Sequence, residues 1–490
     1  MPEPNKGNTA QNFLGKLRGL IRPAVYLSQN LISRVGVVLT TTTGVTLVFA
    51  FGLLIFGYRP DPYAGILVYM ILPPLFALGL ILIPLGILRD FRKQRRLGTL
   101  PQAYPTVDFT NQGVRRTAVF IAVMTAINVP IFAFATYRGT VFMESTQFCG
   151  QTCHSVMDPE YTAYQRSPHA RVACVECHIG PGAPWFVRSK ISGSYQVLAV
   201  TFDLYPRPIA TPIHNLRPAR ETCEQCHWPE RFSGDKLVVR TKYGDDEKNS
   251  STKTVLLVHI GGRNPDSKLI GIHGRHLGLV TYIPADEKRQ EIPWVSYKDA
   301  DGTVTDYLST EKPPSQDLLN RGERRTMDCM DCHNRPTHTF EMPEAAVNRA
   351  MAAGRIDPTL PFIHKEAIEL LKVNYRSRLA AETELPDALR EYYRKNYFAI
   401  YNSQRAAIEE AAKGILYIYQ GNVFPEMNIT WGTYPNNLGH NDFPGCFRCH
   451  DGNHKAKGGK EITQDCNACH SLLAMDEPDP KVLHELAGGN

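Results

Sequence analysis

Hydrophobic and polar residues are unevenly distributed along this chain of 490 residues. Three apolar runs without a charged residue lie in its first third, at residues 35–58, 63–88 and 117–137. Each run is long enough to cross a bilayer as an α-helix, and membrane helices tolerate the prolines of the second run. The pattern therefore predicts a three-span membrane segment over residues 35–138, preceded by a polar, basic tail at residues 1–34.

The remaining two thirds of the chain are polar on average and change character twice. Residues 343–425 place apolar residues at helical spacing, which predicts a helical region. Five shorter stretches alternate or are β-branched, and turn residues separate them: 236–243, 252–260, 277–283, 292–297 and 303–307. They predict a small β-rich insertion at residues 231–325. The expected fold class is three transmembrane helices followed by a mostly α-helical and irregular domain with this insertion.

Charge predicts the orientation of the membrane segment. The net charge is +6, and positive residues concentrate in the tail and in the loop between the second and third runs. Cytoplasmic loops carry such an excess of Lys and Arg, so three crossings place everything after residue 137 in the periplasm. We expect no removable signal peptide, since no small-residue cleavage site follows a short apolar core. No basic tract with interleaved aromatics suggests nucleic-acid binding.

The cysteines indicate the chemistry. All twelve fall into six pairs, and a histidine follows every pair. The six motifs are, in chain order, Cys149/Cys153/His154, Cys174/Cys177/His178, Cys223/Cys226/His227, Cys329/Cys332/His333, Cys446/Cys449/His450 and Cys466/Cys469/His470. C-x-x-C-H is the attachment signature of c-type haem: both thiols form thioethers to the porphyrin, and the histidine is an axial iron ligand. The sequence predicts six covalently bound haem c groups, with a variant spacing in motif one.

Two other uses of paired cysteines were weighed against haem. Disulfides would not need a histidine after each pair. A zinc site would need two pairs converging at ribbon-like spacing. With haem, the soluble part divides into residues 139–230 with haems one to three, the β-rich insertion, a haem four segment at 326–342, the helical region, and a C-terminal dihaem region at 426–490.

The second axial ligand separates electron transfer from substrate reduction, because an open iron position allows substrate binding. Candidates that lie beside motifs are His169, His338, His440 and His454. His273, in the insertion, is a further candidate with His276 as its rival, and Met157 follows motif one. These would fill six distal positions. No C-x-x-C-K motif occurs, which favours electron transfer over terminal reduction.

These motifs resemble the NapC/NirT family of membrane-anchored multihaem quinol dehydrogenases, most of all its larger members from metal-reducing bacteria. The resemblance rests on an apolar helix that leads into motif one, followed by CHSVM at 153–157, SPHARVACVECH at 167–178, ETCEQCH at 221–227 and MDCHNRPTH at 330–338. FPGCFRCHDGNH at 443–454 resembles the larger members only. The departures are three spans instead of one, the wider motif one, the insertion and six haems instead of four.

The resemblance implies oxidation of menaquinol from the membrane quinone pool at haem one of a bacterial inner-membrane protein. It also implies that Met157 is a ligand of that haem and that Lys190, in WFVRSKISG, belongs to the quinol site. A lysine that faces lipid headgroups is the alternative for Lys190. The family's acidic partner of this lysine has no clear match. Quinol protons need nearby acceptors; the ionisable candidates are Glu144, Asp158, Glu160 and Lys190.

The expected electron acceptor is a periplasmic c-type cytochrome or a reductase. Two other functions stay open at this point: a terminal reductase with one open haem, and a docking or relay subunit that a partner protein reduces. The chain could also form a homo-oligomer or belong to a larger complex.

Overall fold

A computed structural model describes residues 23, 26–55, 68, 71–101, 110, 112–152, 154–213, 216–228, 234–263 and 269–488. The chain packs into two compact units, Met1–Cys153 and His154–Asn490. The division falls inside motif one, whereas the sequence placed the end of the membrane segment at residue 138.

The first unit consists of long helices: α1 (Leu31–Ile55), α2 (Leu72–Leu97) and α3 (Gln112–Met143). Small residues let α1 and α2 approach closely, as is usual between membrane helices. A Cβ atom on Gly79 would lie 2.4 Å from the hydroxyl of Thr40. The Ser33 hydroxyl donates a hydrogen bond of 3.0 Å to the carbonyl of Ile83, which joins the two helices.

The membrane segment differs from the three-span prediction. Within the described residues, two helices are long and apolar enough to cross a membrane, Leu31–Ala50 and Leu72–Leu97. The third predicted run is helical and lies within α3, but it is not one of these two. Residues 56–67, where the first run ends and the second begins, lie outside the described residues. The second helix continues through Arg89, predicted to begin a loop, and ends at Gly98 in the left-handed region (φ 66°).

Short helices dominate the second unit, and three of them carry haem motifs. In chain order they are α4 (His154–Gln165), α5 (Cys174–His178), α6 (Ala183–Thr201), α7 (Ala219–Cys223), α8 (Gly271–His276), α9 (Gln316–Arg321), α10 (Cys329–Cys332), α11 (Pro343–Ala352), α12 (Ile363–Leu371), α13 (Arg378–Asn396), α14 (Phe398–Ser403), α15 (Arg405–Asn422) and α16 (Lys481–Gly488). Motifs five and six lie on the 3₁₀ turns Gly445–Arg448 and Cys466–Ala468.

The strands form three antiparallel sheets. They are β1 (Lys236–Tyr243), β2 (Ser251–Val258), β3 (Gly262–Arg263), β4 (Leu269–Ile270), β5 (Val280–Ile283), β6 (Trp294–Lys298), β7 (Val304–Ser309), β8 (Arg325–Thr326), β9 (His454–Ala456) and β10 (His470–Glu477). The sheet orders are β1-β2-β10, β3-β4 and β8-β5-β6-β7-β9.

The strands of residues 231–325 therefore do not form a self-contained insertion. β10 begins at the histidine of motif six and pairs with β2, where His470 lies opposite Val258. β9 follows motif five and pairs with β7, where His454 lies opposite Ser309. Two strands from the C-terminal dihaem region thus complete the two larger sheets, and they tie the last two motifs to this part of the chain.

The largest apolar core lies among helices α11 to α15. Leu385, Leu389 and Tyr393 of α13 and Ile415 of α15 are fully buried there. Helix α13 begins after Ser377, whose hydroxyl accepts a hydrogen bond from the Ala380 backbone, a usual N-cap. This region packs like an ordinary globular protein and supports the neighbouring haem motifs.

Candidate functional site

Each motif lies on one tight turn, so its two cysteines project to the same side. Motif four shows how the sequence enforces this turn. The Asp328 side chain accepts a hydrogen bond from the Met330 backbone, while the Asp331 side chain accepts one from the Asp328 backbone at 2.7 Å, which forms a capping box. The following histidine ends the turn. Five motif cysteines with this geometry carry free thiols: Cys177, Cys226, Cys332, Cys449 and Cys469.

The structure brings five motif histidines face to face with five other histidines. The distances between ring centroids are 6.2 Å for His178 and His338, 5.9 Å for His227 and His169, 6.4 Å for His333 and His273, 5.9 Å for His450 and His276, and 6.2 Å for His470 and His440. Four of the five opposing histidines, all but His276, are the ones that the sequence proposed as distal ligands.

These separations fit a metal ion between the rings. An imidazole nitrogen binds a transition metal at about 2.0–2.1 Å, so two imidazoles on opposite sides of one ion place their ring centroids roughly 6 Å apart. Direct hydrogen bonds between rings would bring them closer. Among the described residues, no three His, Cys, Asp or Glu side chains converge into a metal cluster of the zinc type.

The environment keeps several of these rings neutral, which is the form that binds iron. Burial lowers the pKa of His178, His333 and His338, and the neighbouring histidine of each pair lowers the pKa of His178 and His333 further. Burial also lowers the pKa of His276, although its hydrogen bond to the Ile272 carbonyl opposes the shift.

Hydrogen bonds select the ring nitrogen that faces the opposing histidine. Nδ1 of His338 lies 2.9 Å from the Glu160 carbonyl, and Nδ1 of His450 lies 2.7 Å from the Thr463 carbonyl. A backbone carbonyl holds the N–H at Nδ1, so Nε2 is the nitrogen available for a metal. Nδ1 of His169 and of His470 are buried without a hydrogen-bond partner in the described part of the chain.

His454 does not take the place that the sequence proposed for it. Its side chain is 2% exposed. Its Nδ1 lies 2.8 Å from an Asp451 carboxylate oxygen, and its Nε2 lies 2.7 Å from the Ile292 carbonyl. Both nitrogens are therefore used inside the protein, and His276 lies opposite His450 instead. The spacing of His273 and His276 in the short helix GIHGRH was the available signal, because residues three apart share a helix face.

Motif one is described only in part. Cys153 lies outside the described residues, and α4 begins at His154. Met157 lies on α4 and is half-buried. The structure leaves its role as an iron ligand a prediction.

The candidate quinol residues have the following surroundings. Nζ of Lys190, on α6, lies 4.6 Å from the ring centroid of Phe186. Asp158 forms an ion pair with Arg378, and Glu160 forms one with Arg335 at 2.9 Å. Both carboxylates are therefore engaged within the protein, and Glu160 supports the His338 ring as well.

Helix α6 carries an exposed apolar stripe that the sequence analysis did not single out. Val187, Ile191, Tyr195 and Leu198 follow one another at helical spacing and are 55%, 70%, 66% and 55% exposed. Such a contiguous apolar face marks contact with a membrane or a partner rather than with water.

Comparison with known proteins places the chain. The NapC/NirT cytochrome c family, N-terminal region, matches residues 112–208. The cytochrome c-type protein ImcH of Geobacter sulfurreducens is 45% identical over 463 residues, 93% of this chain and 91% of that protein. The cytochrome c-type protein NrfH of Wolinella succinogenes is 33% identical over 105 residues, 21% of this chain and 59% of that protein. No solved structure matches. With motifs for covalent haem c, a membrane segment and this relative of nearly the same length, the chain belongs to the NapC/NirT cytochrome c family of electron-transport proteins.

Proposed function

We propose that this protein is a hexahaem cytochrome of the bacterial inner membrane. It oxidises menaquinol at the periplasmic face and passes the electrons to a periplasmic cytochrome or reductase. The observation that carries the electron-transfer part is the set of five opposed histidine pairs. Two axial histidines leave no open iron position, which suits electron transfer and disfavours substrate reduction at motifs two to six.

The residues assigned to haem follow from the motifs and the pairs. The twelve motif cysteines form the thioethers, with His154, His178, His227, His333, His450 and His470 as proximal ligands. His169, His338 and His440 are distal ligands of haems three, two and six, and Met157 is the distal ligand of haem one. When bound, haem accepts and releases single electrons, while the protein sets its position and polarity.

The apolar stripe of α6 supports quinol as the donor. Menaquinol is dissolved in the bilayer, so its site must reach the membrane surface. A helix with one apolar face and basic residues lies flat in the membrane interface. Lys190 and Arg188 supply the basic residues of α6, and in this arrangement α6 brings Lys190 to the headgroup level. The predicted third span, within α3, ends shortly before motif one and would hold that motif at the same surface.

The quinol reaction releases two electrons and two protons. In the proposed site Lys190 binds a quinol oxygen and stabilises the negative charge that develops as the proton leaves. Asp158 and Glu160 are engaged in ion pairs, so they are weaker candidates for proton acceptors than Lys190. The two electrons leave one at a time through successive haems.

The first experiment follows the haem absorption band of the purified protein in detergent after anaerobic addition of a menaquinol analogue. Fast reduction of the wild type and a strongly slowed reaction of Lys190→Gln support the proposal. Arg188→Gln is the matched control, since it removes the same charge from the same helix while pointing elsewhere. Equal slowing of both variants would indicate a headgroup role for Lys190.

No reduction at all, in protein whose mass shows six attached haems, would overturn quinol oxidation. The relay-subunit alternative would then gain support if a co-purifying partner protein reduced the haems.

A further inference from the structure

Helix α8 carries two histidines that face two different haem motifs. His273 lies opposite His333 of motif four, with nearly parallel rings (8°), and His276 lies opposite His450 of motif five. Residues three apart on a helix are neighbours, with Cβ atoms about 5–6 Å apart. One helical turn therefore holds two side chains that reach into two sites.

The backbone fixes this helix firmly. Nδ1 of His273 lies 2.6 Å from the Ile260 carbonyl, and the Ile272 backbone donates to the His259 carbonyl at 2.9 Å. Gly271 begins the helix with a φ of 70°, and a Cβ atom there would lie 2.6 Å from the Gly261 backbone. Residues 259–261 follow strand β2, which pairs with β10 of motif six. The helix is thus braced on the sheet that also carries the last motif.

A second contact places motifs four and five side by side independently of α8. The guanidinium of Arg448, between the cysteines of motif five, donates a hydrogen bond of 2.7 Å to the carbonyl of Asp331, between the cysteines of motif four. Arg448 also donates to the carbonyls of Arg289 and Gly445 at 2.8 and 2.9 Å. It is 8% exposed, so this contact is an interior one.

We propose that α8 supplies the distal iron ligands of two consecutive haems, His273 to haem four and His276 to haem five. This rests on the proposed haem assignment but not on quinol as the donor. The helix thereby joins the four motifs that resemble the smaller family members to the C-terminal pair. Electrons that reach haem four pass to haem five across ligands held on one helical turn.

The test uses the oxidised, full-length protein in detergent and reads iron spin state by electron paramagnetic resonance, with haem content by mass. His276→Ala should keep six haems and convert one of them from low spin to high spin. His273→Ala should convert a different one, and the double variant should convert two. Added imidazole should restore low spin in each case.

His454→Ala is the control, since this histidine also lies near motif five but has both nitrogens bonded within the protein. It should leave every haem low spin. A low-spin spectrum for His276→Ala, or a high-spin haem in His454→Ala, would overturn the assignment of His276.

Variants that fold poorly are replaced by His276→Met and His273→Met, which keep an iron ligand. Methionine in place of histidine raises the reduction potential of a haem. A redox titration should show one haem shifted upward in each variant, and no shift in either would contradict the proposal. Because neither readout uses quinol, a protein that menaquinol does not reduce can still show both changes, so failure of the two proposals can be told apart.

Discussion

Arg335 grips Glu160 with one terminal nitrogen, which lies 2.9 Å from both carboxylate oxygens. Arg335 is 8% exposed, and its guanidinium carbon lies 4.2 Å from the ring centroid of Tyr434. Its Nε donates to the His338 carbonyl at 2.6 Å, while Nδ1 of His338 lies 2.9 Å from the Glu160 carbonyl. The ion pair therefore positions the ring that faces His178.

Replacing Arg335 with Met should destabilise the protein and disturb haem two. Removing one partner of a buried ion pair leaves the other charge uncompensated, which typically costs roughly 3–5 kcal/mol. We expect a lower urea midpoint and a fraction of high-spin haem in the oxidised protein. The double variant Glu160→Gln/Arg335→Met should recover part of the loss. If Arg335→Met costs no more than Arg394→Met, which breaks an exposed pair with Glu391, the positioning role is wrong.

An acidic residue in the apolar stripe of α6 should impair access to lipid-dissolved quinol. Burial of an isoleucine side chain is worth about 1.5–3 kcal/mol, so Ile191→Glu should slow reduction by menaquinol in proteoliposomes roughly tenfold or more. Reduction by a water-soluble quinol analogue should change little. Val304→Glu is the control, because Val304 is 60% exposed on strand β7. Equal rates for the two variants in proteoliposomes would argue against membrane contact by α6.

Leu389 and Leu379 offer a paired test of the helical core. Both lie on α13, but Leu389 is fully buried whereas Leu379 is 74% exposed. Leu389→Ala should lower the free energy of unfolding by about 2–5 kcal/mol, because it removes buried surface and leaves a cavity. Leu379→Ala should change it by less than about 0.5 kcal/mol. Thermal unfolding followed by far-ultraviolet circular dichroism compares them; similar midpoints would contradict this core.

Glu366 should make the stability of the helical region depend on pH. Burial raises its pKa, and the charge of Glu369 raises it further, while Lys365 and a hydrogen bond with Tyr392 oppose the shift. The folded protein then binds this proton more tightly than the unfolded chain. Its stabilising contribution is complete below the ordinary glutamate pKa of about 4.3 and is lost as pH rises through the raised folded value.

Glu366→Gln should therefore match the wild type near pH 4 and unfold at a higher temperature at pH 7. Glu369→Gln should show a smaller gain at pH 7, since it removes only the repulsion. A wild type that is as stable as Glu366→Gln at both pH values would refute the assigned shift.

The sequence by itself determined the chemistry of this protein, because haem attachment is a local covalent requirement. A cysteine pair followed by histidine is complete within one short turn, so no tertiary information is needed to recognise it. Apolar length likewise identified the helices of the membrane segment, and strand periodicity located β1, β2 and β5 to β7. His169, His338, His273 and His440 were also found as candidates, three of them by closeness to a motif.

Only the tertiary structure decided which elements meet. His454 follows motif five directly, yet long-range packing of β9 against β7 draws its Nε2 to the Ile292 carbonyl, and His276 from a distant helix lies opposite His450. In the same way β9 and β10 complete sheets whose other strands come from residues 236–326. Alternation shows that a strand has two faces, but it does not name the partner strand, since antiparallel pairing depends on contacts between segments far apart in sequence.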